Sequence, residues 1–176
     1  VGNLTGNKMS PPSVVDLTSE GTADWVHWGL TSSSSFDHKS GVSSQISDFS
    51  SLGNAAMRYT GNQTTFNWSD GSPIIAGSTD SGVYTYAVGS GFQITVPADT
   101  SSRTLRLYVG VWSAGGRLEA TMSDGSASPF VDTSLVNATA SSSAYYLLTY
   151  QASSSGQSLI LRWTVDTSFH PVGNIT

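Results

Sequence analysis

Arg103–Ser123 reads RTLRLYVGVWSAGGRLEATMS, and the fold is decided on this stretch. From Thr104 to Trp112 the residues alternate. Leu105, Leu107, Val109 and Val111 share one side, and Thr104, Arg106, Tyr108, Gly110 and Trp112 share the other. Side chains on a strand change face at every residue, so the pattern predicts a β-strand with one aliphatic face. Ser113-Ala114-Gly115-Gly116 has the small, φ-permissive residues of a tight connection. Arg117–Ser123 then resumes the alternation, with Leu118, Ala120 and Met122 on one face. The expectation is a central β-hairpin whose aliphatic side, Leu107 and Val109 above all, lies fully buried under a second sheet. The opposite face carries Arg106, Tyr108 and Trp112.

Composition narrows the class in the same direction. The chain has 176 residues, enough for one domain with a real core. Charged residues make up 11%, against roughly 25% in an average globular protein. With 38% hydrophobic and 10% aromatic residues the chain can fold despite its many serines and threonines. A net charge of −5 and only seven basic residues argue against a nucleic-acid partner, which requires dense Lys and Arg patches. There is no cysteine, hence no thiol catalysis, Cys-ligated zinc or disulfide. No apolar run approaches the roughly 20 residues of a membrane span.

Along the chain, residues 1–13 lack any period and contain Pro11-Pro12, which remove two donors and fix φ. They read as an N-terminal tail or linker and a possible assembly segment. Residues 14–168 read as a single β domain. Its expected strands are Val14–Thr18, Trp25–Leu30, Gln45–Phe49, Ala55–Tyr59 and Thr64–Trp68, then a hairpin of Val83–Val88 with Gly91–Val96. The central pair and Phe130–Thr133 follow, and Tyr145–Gln151 pairs with Ser158–Val165. No segment has a convincing helical period, so helix content should be slight. Residues 169–176 read as a C-terminal extension.

The blocks Val15–Gly29 (VDLTSEGTADWVHWG), Phe66–Pro73 (FNWSDGSP) and Arg103–Trp112 (RTLRLYVGVW) resemble a bacterial secreted module that recurs in large surface proteins and polysaccharide-associated multidomain proteins. The resemblance covers roughly Val14 to Val165. It implies an all-β, two-sheet antiparallel β-sandwich similar to galactose-binding-like jelly rolls, and an extracellular or cell-surface location. It brings no catalytic residues.

Nor do the residues themselves compose an active site. The only glutamates are Glu20 and Glu119, most aspartates sit in turn contexts such as Asp70-Gly71 and Asp124-Gly125, and no Gly-x-Ser-x-Gly elbow appears. His27, His38 and His170 have no metal-ligand spacing. The expectation is a protein without catalytic residues and without a cofactor. Asp16, Glu20 and Asp24 are the weak calcium candidates, with turn capping as the competing explanation. Sugar faces stack on exposed aromatic rings, and Trp25, Trp28, Trp68 and Trp112 with Arg106 are the residues that could supply such a site. Against this, tryptophans in a small sandwich mostly fill the core, and Trp25 and Trp28 cannot both face one way.

Five of the seven asparagines, Asn3, Asn62, Asn67, Asn137 and Asn174, sit two residues before Ser or Thr, the acceptor pattern for N-linked glycan. Asn62, Asn67 and Asn137 are expected at the surface. The terminal segments offer a route to self-association, one copy's tail adding to the sheet edge of the next. The sequence therefore points to a non-enzymatic extracellular structural or adhesive subunit, glycosylated and part of a surface fibre or array. The alternative is a carbohydrate-binding module using surface aromatics.

Overall fold

A computed structural model describes residues 1–176. The first half of the chain forms β1 (Asn3–Met9), β2 (Val14–Asp16), one helical turn α1 (Leu17–Glu20), β3 (Val26–Trp28), β4 (Phe36–Lys39), β5 (Ser50–Leu52), β6 (Met57–Tyr59), β7 (Thr65–Trp68), β8 (Gly71–Ser72) and β9 (Gly77–Thr79). The second half forms β10 (Gly82–Tyr86), β11 (Gly91–Ala98), β12 (Arg103–Met122), β13 (Phe130–Asp132), β14 (Val136–Gln151), β15 (Gln157–Ser168) and β16 (Asn174–Ile175). The fold is all-β and sandwich-like, as expected, and its only helix is the four-residue α1.

Where the sequence reading has one domain, the chain divides into two compact units. The first comprises Val1–Ser10, Ser47–Ala55 and Thr85–Thr176. Its axis is β12, a single strand that runs straight through the expected turn. Arg103–Trp112 pairs antiparallel with β14, and Gly116–Met122 pairs antiparallel with β15. Between these stretches the register shifts after Trp112 and again after Gly115, and Ser113 takes a positive φ of 46°. The small residues thus make a bulged bend in one strand instead of a hairpin. Gly116 is needed for close approach: a Cβ there would lie 1.9 Å from the Trp163 ring.

Neither of the other expected hairpins forms. β11 pairs with β15 and β5, while β14 pairs with β12 and β1, so β12 lies between β14 and β15. Residues 1–13 are also not a free tail. All seven residues of β1 pair antiparallel with β14, from Asn3 opposite Gln151 to Met9 opposite Tyr145. Pairing stops before Pro11-Pro12, as the prolines require. The C-terminal extension is likewise integral. β16 pairs with Val111-Trp112 of β12 and with Thr85-Tyr86 of β10, and Ile175 is fully buried. The core of this unit is aliphatic and aromatic: Ile94, Val96, Val109, Leu118, Tyr146, Leu148, Leu161 and Trp163 are all buried. Leu107, expected in the same layer, is only half-buried.

The second unit comprises Pro11–Ile46 and Ala56–Tyr84. It has two three-stranded sheets. In one, β7 pairs parallel with β2 and antiparallel with β9; in the other, β4 pairs antiparallel with β3 and β8. β6 pairs with Gly82–Tyr84 of β10. The core here is Val15, Leu17, Trp25, His27, Phe66 and Trp68.

Candidate functional site

In the first unit, the registers of β1, β14 and β12 fix which side chains share a face. Tyr108 stands opposite Tyr145, which stands opposite Met9; the next row is Arg106, Leu147 and Asn7; the next is Thr104, Thr149 and Thr5. In the other direction Trp112 stands opposite Ser141 and Asn174. This is the face that alternation turns away from the buried Tyr146, Leu148 and Tyr150. Thr5, Asn7, Met9, Thr104 and Arg106 on it are exposed. The Tyr108 and Tyr145 rings lie 5.3 Å apart, tilted by 29°, and both are half-buried. Trp112 is half-buried with its ring edge-on to His170 at 5.0 Å. Together these residues make an aromatic and polar strip on this face, interrupted between Tyr108 and Trp112 by the buried Gly110.

Of the residues predicted to stack on sugar, the structure brings Trp112 and Arg106 to this strip. Trp25 and Trp68 are core residues instead, 3% and 5% exposed, packed on each other at 5.7 Å, with His27 stacked on Trp68. Short strands bury both because the second unit has little else to fill its interior. Trp28 is half-buried and points from the opposite side of β3 to Trp25 and His27, as alternation requires. Sequence reasoning missed Tyr145, Met9 and His170. The signal for Tyr145 lies in YYLLTY (Tyr145–Tyr150), where Tyr146, Leu148 and Tyr150 are in phase and Tyr145 is out of it.

The second unit holds a polar cluster around Asp70. Its Oδ1 accepts from Thr18 Oγ1 at 2.7 Å and from Trp25 Nε1 at 2.9 Å, and its Oδ2 contacts Lys39 Nζ. Desolvation pushes the Asp70 carboxyl up, but the bonds from Lys39, Thr18 and Trp25 together outweigh it and hold its pKa below the usual carboxylate range. On β4, Asp37 is fully buried; Oδ1 accepts from the His38 and Ile74 amides and Oδ2 has no partner. Burial lowers the pKa of His27 to about 4, the bond from Nε2 to the Ser81 carbonyl opposing it.

Two of the calcium candidates serve as backbone acceptors. Asp16 caps α1 through the Thr18 amide, and Asp24 accepts from the amides of Trp25, Gln45 and Ile46. Asp16, Glu20 and Asp24 do not converge, and no three His, Asp or Glu side chains gather in metal-binding geometry. Of the sequon asparagines only Asn3 is exposed. Asn62, Asn67, Asn137 and Asn174 are half-buried. Asn62 and Asn137 accept backbone amides in their own turns, and Asn67 Oδ1 is buried without a partner.

No family model, curated protein or solved structure matches the chain.

Proposed function

We propose that the protein is a non-enzymatic, extracellular adhesive module that holds a glycan chain against the outward face of β1, β14 and β12. The observation that carries this reading is the Tyr108–Tyr145 pair on an open sheet face. Two neighbouring rings give apolar surface to the C–H faces of a sugar, while their hydroxyls, Arg106, Asn7 and the Thr104–Thr149–Thr5 row offer hydrogen bonds to its hydroxyl groups. Flat polar faces of this kind favour an extended polysaccharide over a small ligand enclosed in a cavity. The test is retention on insoluble polysaccharides and on a glycan array. Tyr108→Ala and Tyr145→Ala should each weaken binding about tenfold while leaving the β-sheet circular dichroism unchanged. Binding that survives the double variant, or no binding to any glycan, refutes the reading.

A second reading, self-association into a fibre or array, is supported by the edge of β1. This strand pairs with β14 alone, so its other edge presents backbone donors and acceptors to a further strand.

A further inference from the structure

The chain has only two lysines, and one of them, Lys39, is spent in a largely enclosed place: its side chain is 13% exposed. Lysine heads normally reach for water, and enclosing one is costly. Lys39 Nζ contacts Oδ2 of Asp70, while Oδ1 of the same carboxyl receives two hydrogen bonds, from Thr18 Oγ1 and Trp25 Nε1. The two oxygens of Asp70 are thus held differently. One faces an amine, and the other faces two fixed donors. That is the arrangement that stabilises a tetrahedral intermediate at a carboxyl carbon, with negative charge gathering on the oxygen already met by donors.

We propose that Lys39 and Asp70 condense into an intramolecular amide that ties β4 to the segment leading into β8. One proton of the Lys39 ammonium passes to Asp70, and the Nζ lone pair attacks Cγ while Trp25 and Thr18 hold Oδ1. A second Nζ proton passes to Oδ2, which leaves as water. The ammonium and the carboxylate become one amide and one water molecule, with no change of oxidation state and no co-reactant. A covalent tie at this place suits the second unit, whose strands are short and whose sequence has no cysteine for a disulfide.

Intact mass spectrometry tests this on the full chain, purified folded from a host that adds no glycan and then denatured. The wild type should be lighter than its sequence mass by one water, and protease digestion should give a branched peptide joining the Lys39 and Asp70 segments. Lys39→Arg, which keeps the charge but cannot condense in this way, should have the full sequence mass, as should Asp70→Ala. A wild type at full sequence mass overturns the proposal. So does a water loss that persists in Lys39→Arg, because Asp70-Gly71 can also lose water by closing a succinimide on its own backbone.

Discussion

The two units reach a folded state by different means. In the first, β12, β14 and β15 are 20, 16 and 12 residues long, and backbone ladders carry the structure over an aliphatic core. In the second, none of β2, β3, β4, β6, β7, β8 and β9 exceeds four residues. Ladders that short cannot set register by themselves. Aspartates do it instead: Asp24 gathers the Trp25, Gln45 and Ile46 amides, Asp37 the His38 and Ile74 amides, and Asp70 the side chains of Thr18, Trp25 and Lys39. Arg58 Nε adds a link to the Gly29 and Leu30 carbonyls. The difference teaches that a region with a small core can be held by carboxylates aimed at backbone donors, at the cost of becoming sensitive to their loss.

The contrast can be broken most forcefully from the first unit. Leu118 is fully buried on β12, and Leu118→Ala should cost about 2–5 kcal/mol in urea unfolding. The half-buried Leu107, on the same strand, should cost visibly less when changed to Ala. Equal costs would mean that the two halves of β12 contribute alike and that the aliphatic layer extends further than its burial indicates.

The second unit should answer to pH. His27 is held at about 4 in the folded state, against 6.5 for the free side chain, so the unfolded chain binds the proton more tightly. Its contribution is fully present above about pH 6.5 and is lost as the pH falls toward 4, amounting to about 3 kcal/mol. Urea midpoints measured across this window should fall in the wild type and stay flatter in His27→Gln. An unchanged slope would move the acid sensitivity elsewhere. The smallest effect is expected from Asp24→Ala, about 1–3 kcal/mol, read as faster proteolysis and hydrogen exchange between Ser40 and Ile46. Protection unchanged there would show that the loop does not depend on the carboxylate.

Much of the first unit was legible because burial writes itself into long alternating strands. The in-phase Leu118, Ala120 and Met122 and the in-phase Leu159, Leu161 and Trp163 all proved to be core. The bend at Ser113–Gly116 was not legible, because small residues serve a turn and a close approach equally well, and Trp163, which needs the space at Gly116, lies far along the sequence. β1 left no periodic signal because an edge strand presents little to the core: only Leu4 and Gly6 among its residues are even half-buried. Of the aromatic strip, Arg106, Tyr108 and Trp112 could be placed on one face from their own strand. Tyr145, Met9 and His170 required knowing which strands are neighbours, and pairing between distant segments is not encoded locally.

The pairing of β1 with β14 also governs the order in which the sheet can form. Asn3–Met9 must wait for Tyr145–Gln151, so some of the first residues of this sequence find their partners among nearly the last. β12 likewise needs β14 and β15, both C-terminal to it. Contacts so widely separated slow folding, because loop closure has to precede any gain from the ladder. The sheet is therefore expected to close late in folding, with the pairing of β1 and β14 among its last steps.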